Sequence, residues 1–417
     1  MTAATFGPDA SSARRLIYIV VLGALTAVAP LTVDLYLPAF PALASEFGVS
    51  SSAVQLTLTG TLLGLGLGQL VIGPLSDAFG RRWPLIISVA VHVLASLSIV
   101  AVTDIGWMTV LRIVQGAASS GGIVIAMASV RDLYVGRRMS QILAQLALVS
   151  GLGPVLAPSI GALILQVTHW RGMFLWLAGF SAVLLVVVLV VIKETLPDEH
   201  RQEGRWLSGA FSRYSRLLRD REFVGLTLVG SLMKGGQFAY IAWSSFVFQS
   251  HFGLDAGSFA FVFAINAIGT IIGAQIAAQL VRWLDLRQIL AISLGAAMAT
   301  AGALAIGVFA TPAVPWFVVA ILLALFMVSI GLNNPTVPSL ALVHHAREAG
   351  TAAALLGAVN FAFAGLAGPI SGVLTHNPLF ALSGSLVACS AAAIVVLVVV
   401  VKGGPRGVRA IRYRPAE

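Results

Sequence analysis

Three charged side chains stand where nearly every neighbour is apolar: Asp34 in "APLTVDLYLPAF", Arg112 in "LRIVQGAASSGG" and Lys234 in "SLMKGGQFAY". An ion inside hydrocarbon costs about 3 kcal/mol or more, so such residues usually face a bundle interior or a cavity. Protonation is the chemistry that a coupling carboxylate needs. Dry surroundings favour the protonated form of such an acid, while water or a neighbouring cation favours the ionised form. An acid carried between those surroundings accepts a proton in one and releases it in the other. A second reading of Asp34 stays open: Pro38 follows closely, and a helix that stops there leaves the carboxylate among solvated headgroups.

The elements able to position these residues are apolar runs of membrane-spanning length. The 417-residue chain is 58% hydrophobic and 10% charged, with a mean hydropathy of +0.96, too little charge for a soluble protein of that size. Twelve runs recur, at 15–40, 52–75, 83–102, 107–131, 140–166, 170–192, 222–249, 257–281, 287–309, 315–340, 350–374 and 378–401. The expectation is an all-α polytopic membrane protein whose twelve spans form two six-helix halves. The first run is too long for a cleavable leader. The single cysteine, Cys389, excludes a disulfide within one chain.

Charge fixes the orientation. The loops "EFGVSSS", "TDIG", "ATPAVP" and "THNP" carry no Lys or Arg, whereas the alternate loops hold "GRRW", "RDLYVGRR", "RWLDLRQ" and "HHARE". Together with Arg14, Arg15, the linker and the tail, that second set holds 22 of the 25 basic residues, all but Arg112, Arg171 and Lys234. Both termini and the linker are therefore expected in the cytoplasm. The net charge of +9 reads as a topology signal, with no nucleic-acid partner expected. The expected segments are an N-terminal half at 1–192, a linker at 193–221, a C-terminal half at 222–402 and a basic tail at 403–417. In the linker, Trp206, Ala210, Tyr214 and Leu217 fall at helical spacing, as in a helix on the membrane surface or a solvated one. Gly73, Arg82 and Trp83 recur as Gly273, Arg282 and Trp283, a faint echo between the halves.

In this frame Asp34 falls in the outer half of span one, within ~10 Å of its external end, and Arg112 lies ~7.5 Å below the external start of span four. The two share a depth and can communicate, directly or through water, if their helices face each other. Lys234 falls ~18 Å along span seven, near midmembrane, as an ion-pair partner, a snorkelling side chain or a substrate contact. Further candidates for a substrate cavity are Tyr36, Gln115, Gln237, Phe238, Tyr240, Asn266, Asn333 and Asn360. Polar members of that set, with Gln55 and His92, also suit hydrogen bonds between helices. Trp243, Phe261, Phe263 and Phe361 join the aromatics that either line a cavity or pack. Trp83, Trp107, Trp283 and Trp316 read as an interfacial belt.

The most specific stretch is "GPLSDAFGRR", read as a short cytoplasmic loop in which Gly73 and Pro74 end a helix, with Gly80 in the turn. Asp77 is placed to meet a positive helix N-terminus, and Arg81 and Arg82 supply countercharge. In span five, Gly153, Pro154, Pro158 and Gly161 interrupt the regular ladder, either for close packing or as a hinge between halves.

These residues resemble the signatures of the major facilitator superfamily: "GPLSDAFGRR" between spans two and three, Arg112, Gln115 and Gly116 in span four, and "GLGPVLAPSIGAL" in span five. "DLYLPAFP", "RDLY", "HWRGMF" and "ETLP" are similar to the bicyclomycin/chloramphenicol-resistance branch of drug:proton antiporters. The resemblance implies a bacterial inner-membrane exporter of small amphipathic molecules, working by alternating access as a monomer in the bilayer. Protons would be the coupling ion, with no other cofactor and no metal. The alternative within transporters is a proton-coupled exporter or importer of a metabolite or sugar. An enzyme would need clustered His and acidic ligands, and the pair His344 and His345 lacks such spacing. A receptor would need a soluble signalling domain, and none is attached.

Asp77 is expected near Gly350 and Thr351, at the positive start of span eleven, clamping the cytoplasmic face shut. An outward-open structure that separates these groups by more than about 11 Å, two helical turns, would count against the clamp.

Overall fold

A computed structural model describes residues 12–197, 199, 201, 214–311, 314–345, 349–375 and 377–401. Trp206, Ala210 and the tail 403–417 lie outside the described residues. The chain divides into two units, Met1–Gly209 and Ala210–Glu417. Both consist of long helices, with no strand among the described residues.

In the first unit the helices are Ser12–Asp34, Ser51–Phe79, Arg82–Val100, Ile105–Leu133, Gly136–Val167 and Trp170–Val191. In the second they are Arg221–Ser245, Ala256–Leu280, Leu286–Ala310, Trp316–Leu342, Ala349–Leu374 and Pro378–Val396. Eleven are long and apolar enough to cross a membrane. The remaining one, Arg221–Ser245, has the length, but Lys234 and Gln237 lower its mean hydropathy. Spans seven and twelve each end in wider π turns, Phe246–His251 and Leu397–Val401.

Span one departs from expectation. Its α-helix stops at Asp34, and Pro38 and Pro41, which lack an N–H, sit in a 3-10 turn (Leu37–Ala39) and a short helix (Phe40–Phe47). Span two departs in the opposite sense. Gly73 and Pro74 do not end it; the helix runs on to Phe79, and Asp77 lies within it. Losing one N–H at Pro74 is tolerated there, and the stop is Gly80, at φ +87°. A side chain at Gly80 would also collide with the Glu194 carboxylate. Span five likewise stays helical through Pro154 and Pro158.

Each unit is held by a close helix crossing at glycines. In the first, a Cβ at Gly64 would overlap the Ile113 carbonyl and one at Gly116 the Thr61 carbonyl. In the second, Gly273 meets the Val328 carbonyl and Gly331 the Thr270 carbonyl. Contact of this kind replaces the hydrophobic drive that lipid cannot supply. Gly73, by contrast, has only Val124 at 3.6 Å from such a Cβ, so the echo of Gly73 in Gly273 does not extend to packing. In the first unit Gly64, Gly68 and Gly116 pack as Gly273 does, each against a backbone carbonyl of the partner helix.

Gly116→Ala should lower stability by about 1–3 kcal/mol through overpacking. Gly179→Ala, with nothing within 4 Å of the new methyl, should be neutral. Thermal unfolding in detergent checks both; equal midpoints would remove the crossing from this account.

Candidate functional site

Asp34 is 3% exposed, although its helix ends there. The solvated surface position is therefore excluded, because the 3-10 turn and short helix that follow are closed in as well, with Tyr36, Leu37, Ala39 and Phe40 all buried. Among the described residues Asp34 Oδ1 has no hydrogen-bond partner, and the carboxylate makes no ion pair. Arg112 is 0% exposed and faces the same segment. Its guanidinium donates to the Thr32 carbonyl at 2.8 Å and to Gln115 Oε1 at 2.7 Å, and lies 4.1 Å from the centre of the Tyr36 ring. Phe174 adds a second ring at 5.5 Å. Aromatic faces and carbonyls spread the charge of a guanidinium without neutralising it.

From Arg112 the bonding continues through three spans. Gln115 Nε2 donates to Ser96 Oγ at 2.7 Å, and Ser96 donates to the His92 carbonyl at 2.7 Å. The Thr32 hydroxyl gives its one proton to the Val28 carbonyl at 2.6 Å, so the 2.8 Å contact has His92 Nε2–H donating to Thr32. In a neutral imidazole that leaves Nδ1 to accept from Ser181 Oγ at 2.9 Å. Tyr36 donates to Thr57 at 3.0 Å, since Thr57 spends its proton on the Val54 carbonyl. Spans one, two, three, four and six thus meet around residues 32–36.

Span five approaches the same segment from outside the network. Gly153 lies against Pro30, and Gly161 against the Leu35 carbonyl, one on each side of Asp34 in sequence. Pro154 and Pro158 stand between them.

The end of the first unit that carries Arg81 and Glu194 is densely paired. Arg81 is buried; its Nε donates to Asp132 at 2.9 Å, and Nη1 donates to Ser76 at 2.8 Å and pairs with Asp77. Burial works against its charge, but the bonds to Asp132 and Asp77 outweigh that and hold its pKa above the ordinary arginine value. Glu194 Oε1 accepts from the amides of Arg81 (2.8 Å), Thr195 (3.0 Å) and Leu196 (3.0 Å), and Oε2 from that of Arg82 (3.2 Å). It caps the positive start of span three. Arg82 reaches the Leu189 carbonyl at 3.0 Å. At the other end, Arg171 pairs with Glu46 and caps span three through the Val100 and Val102 carbonyls, both at 3.1 Å.

The second unit treats its candidates differently. Asn266 Nδ2 donates to Tyr240 at 3.0 Å, and Tyr240 stacks on Phe263. Trp243 donates to Ser371 at 2.8 Å. Asn333 is buried. Lys234 Nζ donates to Gln237 Oε1 at 2.8 Å, and Ser231 donates to Asn360 Oδ1 at 2.8 Å. Lys234, Gln237, Phe238, Asn360 and Phe361 keep partial exposure, whereas Tyr36, Gln115, Tyr240, Asn266 and Asn333 are closed in. Phe261, 68% exposed, lies on the outer surface, as do the four belt tryptophans. Sequence reading missed Glu194 and Ser181 as partners. "ETLP" marked the place of the first, and nothing local marks the second.

Residues 22–369 match the family described as Major Facilitator Superfamily. The "Uncharacterized MFS-type transporter YdgK" of Bacillus subtilis is 34% identical over 365 residues, 86% of this chain and 89% of that one. The "Bicyclomycin resistance protein homolog" of Haemophilus influenzae is 29% identical over 365 residues, 85% and 88%. The partially occluded inward-open structure of the xylose transporter XylE from E. coli covers 97% of this chain and 100% of its own, with a TM-score of 0.72. At 13% identity it shows a shared fold.

His92→Ala should destabilise the first unit by about 1–3 kcal/mol, since the Ser181 hydroxyl loses its acceptor in a dry site. An unchanged thermal midpoint in detergent would mean that the bridge carries no weight.

Proposed function

The chain belongs to the major facilitator superfamily, and we propose that it is a proton-coupled exporter of small amphipathic drugs, chloramphenicol-like or otherwise hydrophobic, working by alternating access. It is a multi-pass membrane transporter of small molecules, not an enzyme. The finer reading rests on one observation: a buried carboxylate, Asp34, with an unpartnered oxygen, two residues beyond the carbonyl that holds Arg112.

No fixed donor holds that carboxyl group in one protonation state. Opening the site to water on either side of the membrane changes the free energy of its charge, and so loads or unloads the proton. Span five touches the chain just before and just after Asp34, so a tilt of that span alters the same site, which makes Gly153 to Gly161 the hinge. At a membrane potential of ~180 mV each inward proton is worth ~4 kcal/mol, enough for roughly a thousandfold gradient of a neutral cargo. The name of the Haemophilus relative supports a drug as cargo. The setting proposed is a bacterial inner membrane, with both termini cytoplasmic, a monomeric carrier and no resident cofactor beyond the proton.

The test is uptake into proteoliposomes with and without a pH gradient, beside an equilibrium binding assay. Asp34→Asn should fold and bind chloramphenicol but lose gradient-driven accumulation, because an amide does not titrate near neutral pH. Arg112→Lys should disturb the same step, and Lys234→Ala should chiefly change which cargo is carried. Full accumulation by Asp34→Asn would strip Asp34 of the coupling role, and accumulation of sugars in place of drugs would favour a metabolite carrier.

A further inference from the structure

The second unit has six acidic residues: Asp220, Glu222, Asp255, Asp285, Glu348 and Glu417. The first four stand at helix starts and are already engaged. Asp220 accepts from the amides of Glu222 and Phe223, Glu222 pairs with Arg287, Asp255 accepts from Ser258, and Asp285 forms a capping box with Gln288. Glu348 and Glu417 lie outside the described residues. Lys234 sits twelve residues beyond Glu222 in the same helix, about 18 Å along its axis. Its unit therefore offers this ammonium no counter-ion at its own level.

Its one hydrogen bond among the described residues goes to the neutral Gln237 Oε1. An ammonium has three donors and no acceptor, so the Gln237 amide must present its oxygen to Lys234 and its NH2 elsewhere. One turn earlier Ser231 donates to Asn360 Oδ1, which again leaves an amide NH2 unspent. Each amide oxygen of this patch is thus engaged within it, and the N–H groups of Lys234, Gln237 and Asn360 are the donors left to offer. The flanking Gly235 and Gly236 are closed in against Cys389 and Phe326, while Lys234, Gln237, Phe238 and Asn360 keep partial exposure.

We propose that Lys234, Gln237 and Asn360 form a donor-only subsite that takes the carboxylate, or an equivalent anionic oxygen, of an amphipathic cargo whose apolar body lies on Phe238. The subsite rests on the transporter reading above and adds to its cargo amphipathic molecules that carry an acidic group. It also accounts for a lysine in a helix that would cross the membrane more easily without one. The anion arrives with the cargo and leaves with it.

The probe pair is 2-naphthoate and 2-naphthamide, which share a ring system and differ in charge. Binding to the full-length protein in detergent, read by calorimetry at neutral pH, should favour the naphthoate by about tenfold or more. Lys234→Gln should abolish that preference, and Lys234→Arg should keep it. No preference in the wild type, or a preference that survives Lys234→Gln, overturns the subsite. Since no gradient is present, the outcome is independent of Asp34. A protein that accumulates neutral drugs but ignores the carboxylate loses the subsite alone, and one that prefers the carboxylate without gradient-driven uptake loses the coupling alone.

Discussion

A polar group inside a bilayer has no water to turn to, so each one must be satisfied by another part of the chain. Thr32 shows how much geometry that demand fixes. Its hydroxyl donates to Val28 and accepts from His92, and its carbonyl accepts from Arg112. His92 then requires Ser181, and Arg112 requires Gln115, which requires Ser96. Spans three, four and six are oriented about span one by bonds that would each be costly to leave unmade. The glycine crossings make those bonds reachable by letting spans two and four approach to backbone contact.

Against that background, the distribution of satisfaction separates two kinds of charge. Arg81, Asp132 and Glu194, at one end of the first unit, each have two or more partners, and Arg171 at the other end has three. Asp34 and Lys234, within the spans, have between them a single bond to a neutral amide. Arg112, also within a span, is bound by the Thr32 carbonyl and by Gln115, so burial alone does not leave a charge unsatisfied.

Much of this was legible in the residues. Membrane-length runs are set by hydropathy, and the helix bounds fall within a few residues of them at most ends. The places where reading failed or stopped short share a cause. Pro74 and Gly73 looked like a helix stop because local propensity forbids little else, yet the helix continues to Phe79, since one missing N–H is a small loss in a packed bundle. Pro38 left two readings of Asp34 open, and only the burial of Tyr36, Leu37 and Phe40 beside it decides for the dry one. Gln115 suited either a cavity or a hydrogen bond between helices by its type, and only its partner on a distant span, Ser96, gives the second. Hydropathy reports how far each residue is from water, and cannot report which residue on a distant helix answers it.

The carboxylate of Glu194 gathers four backbone amides from two segments more than a hundred residues apart, and it occupies the space where a side chain on Gly80 would lie. A shorter acid at 194 would abandon amides at both segments, and any larger residue at 80 would evict the carboxylate. Neither position can drift by itself. Over the descent of the chain, the end of span six and the turn after span two are bound to change together or stay as they are, so the two form one heritable unit although the sequence keeps them apart.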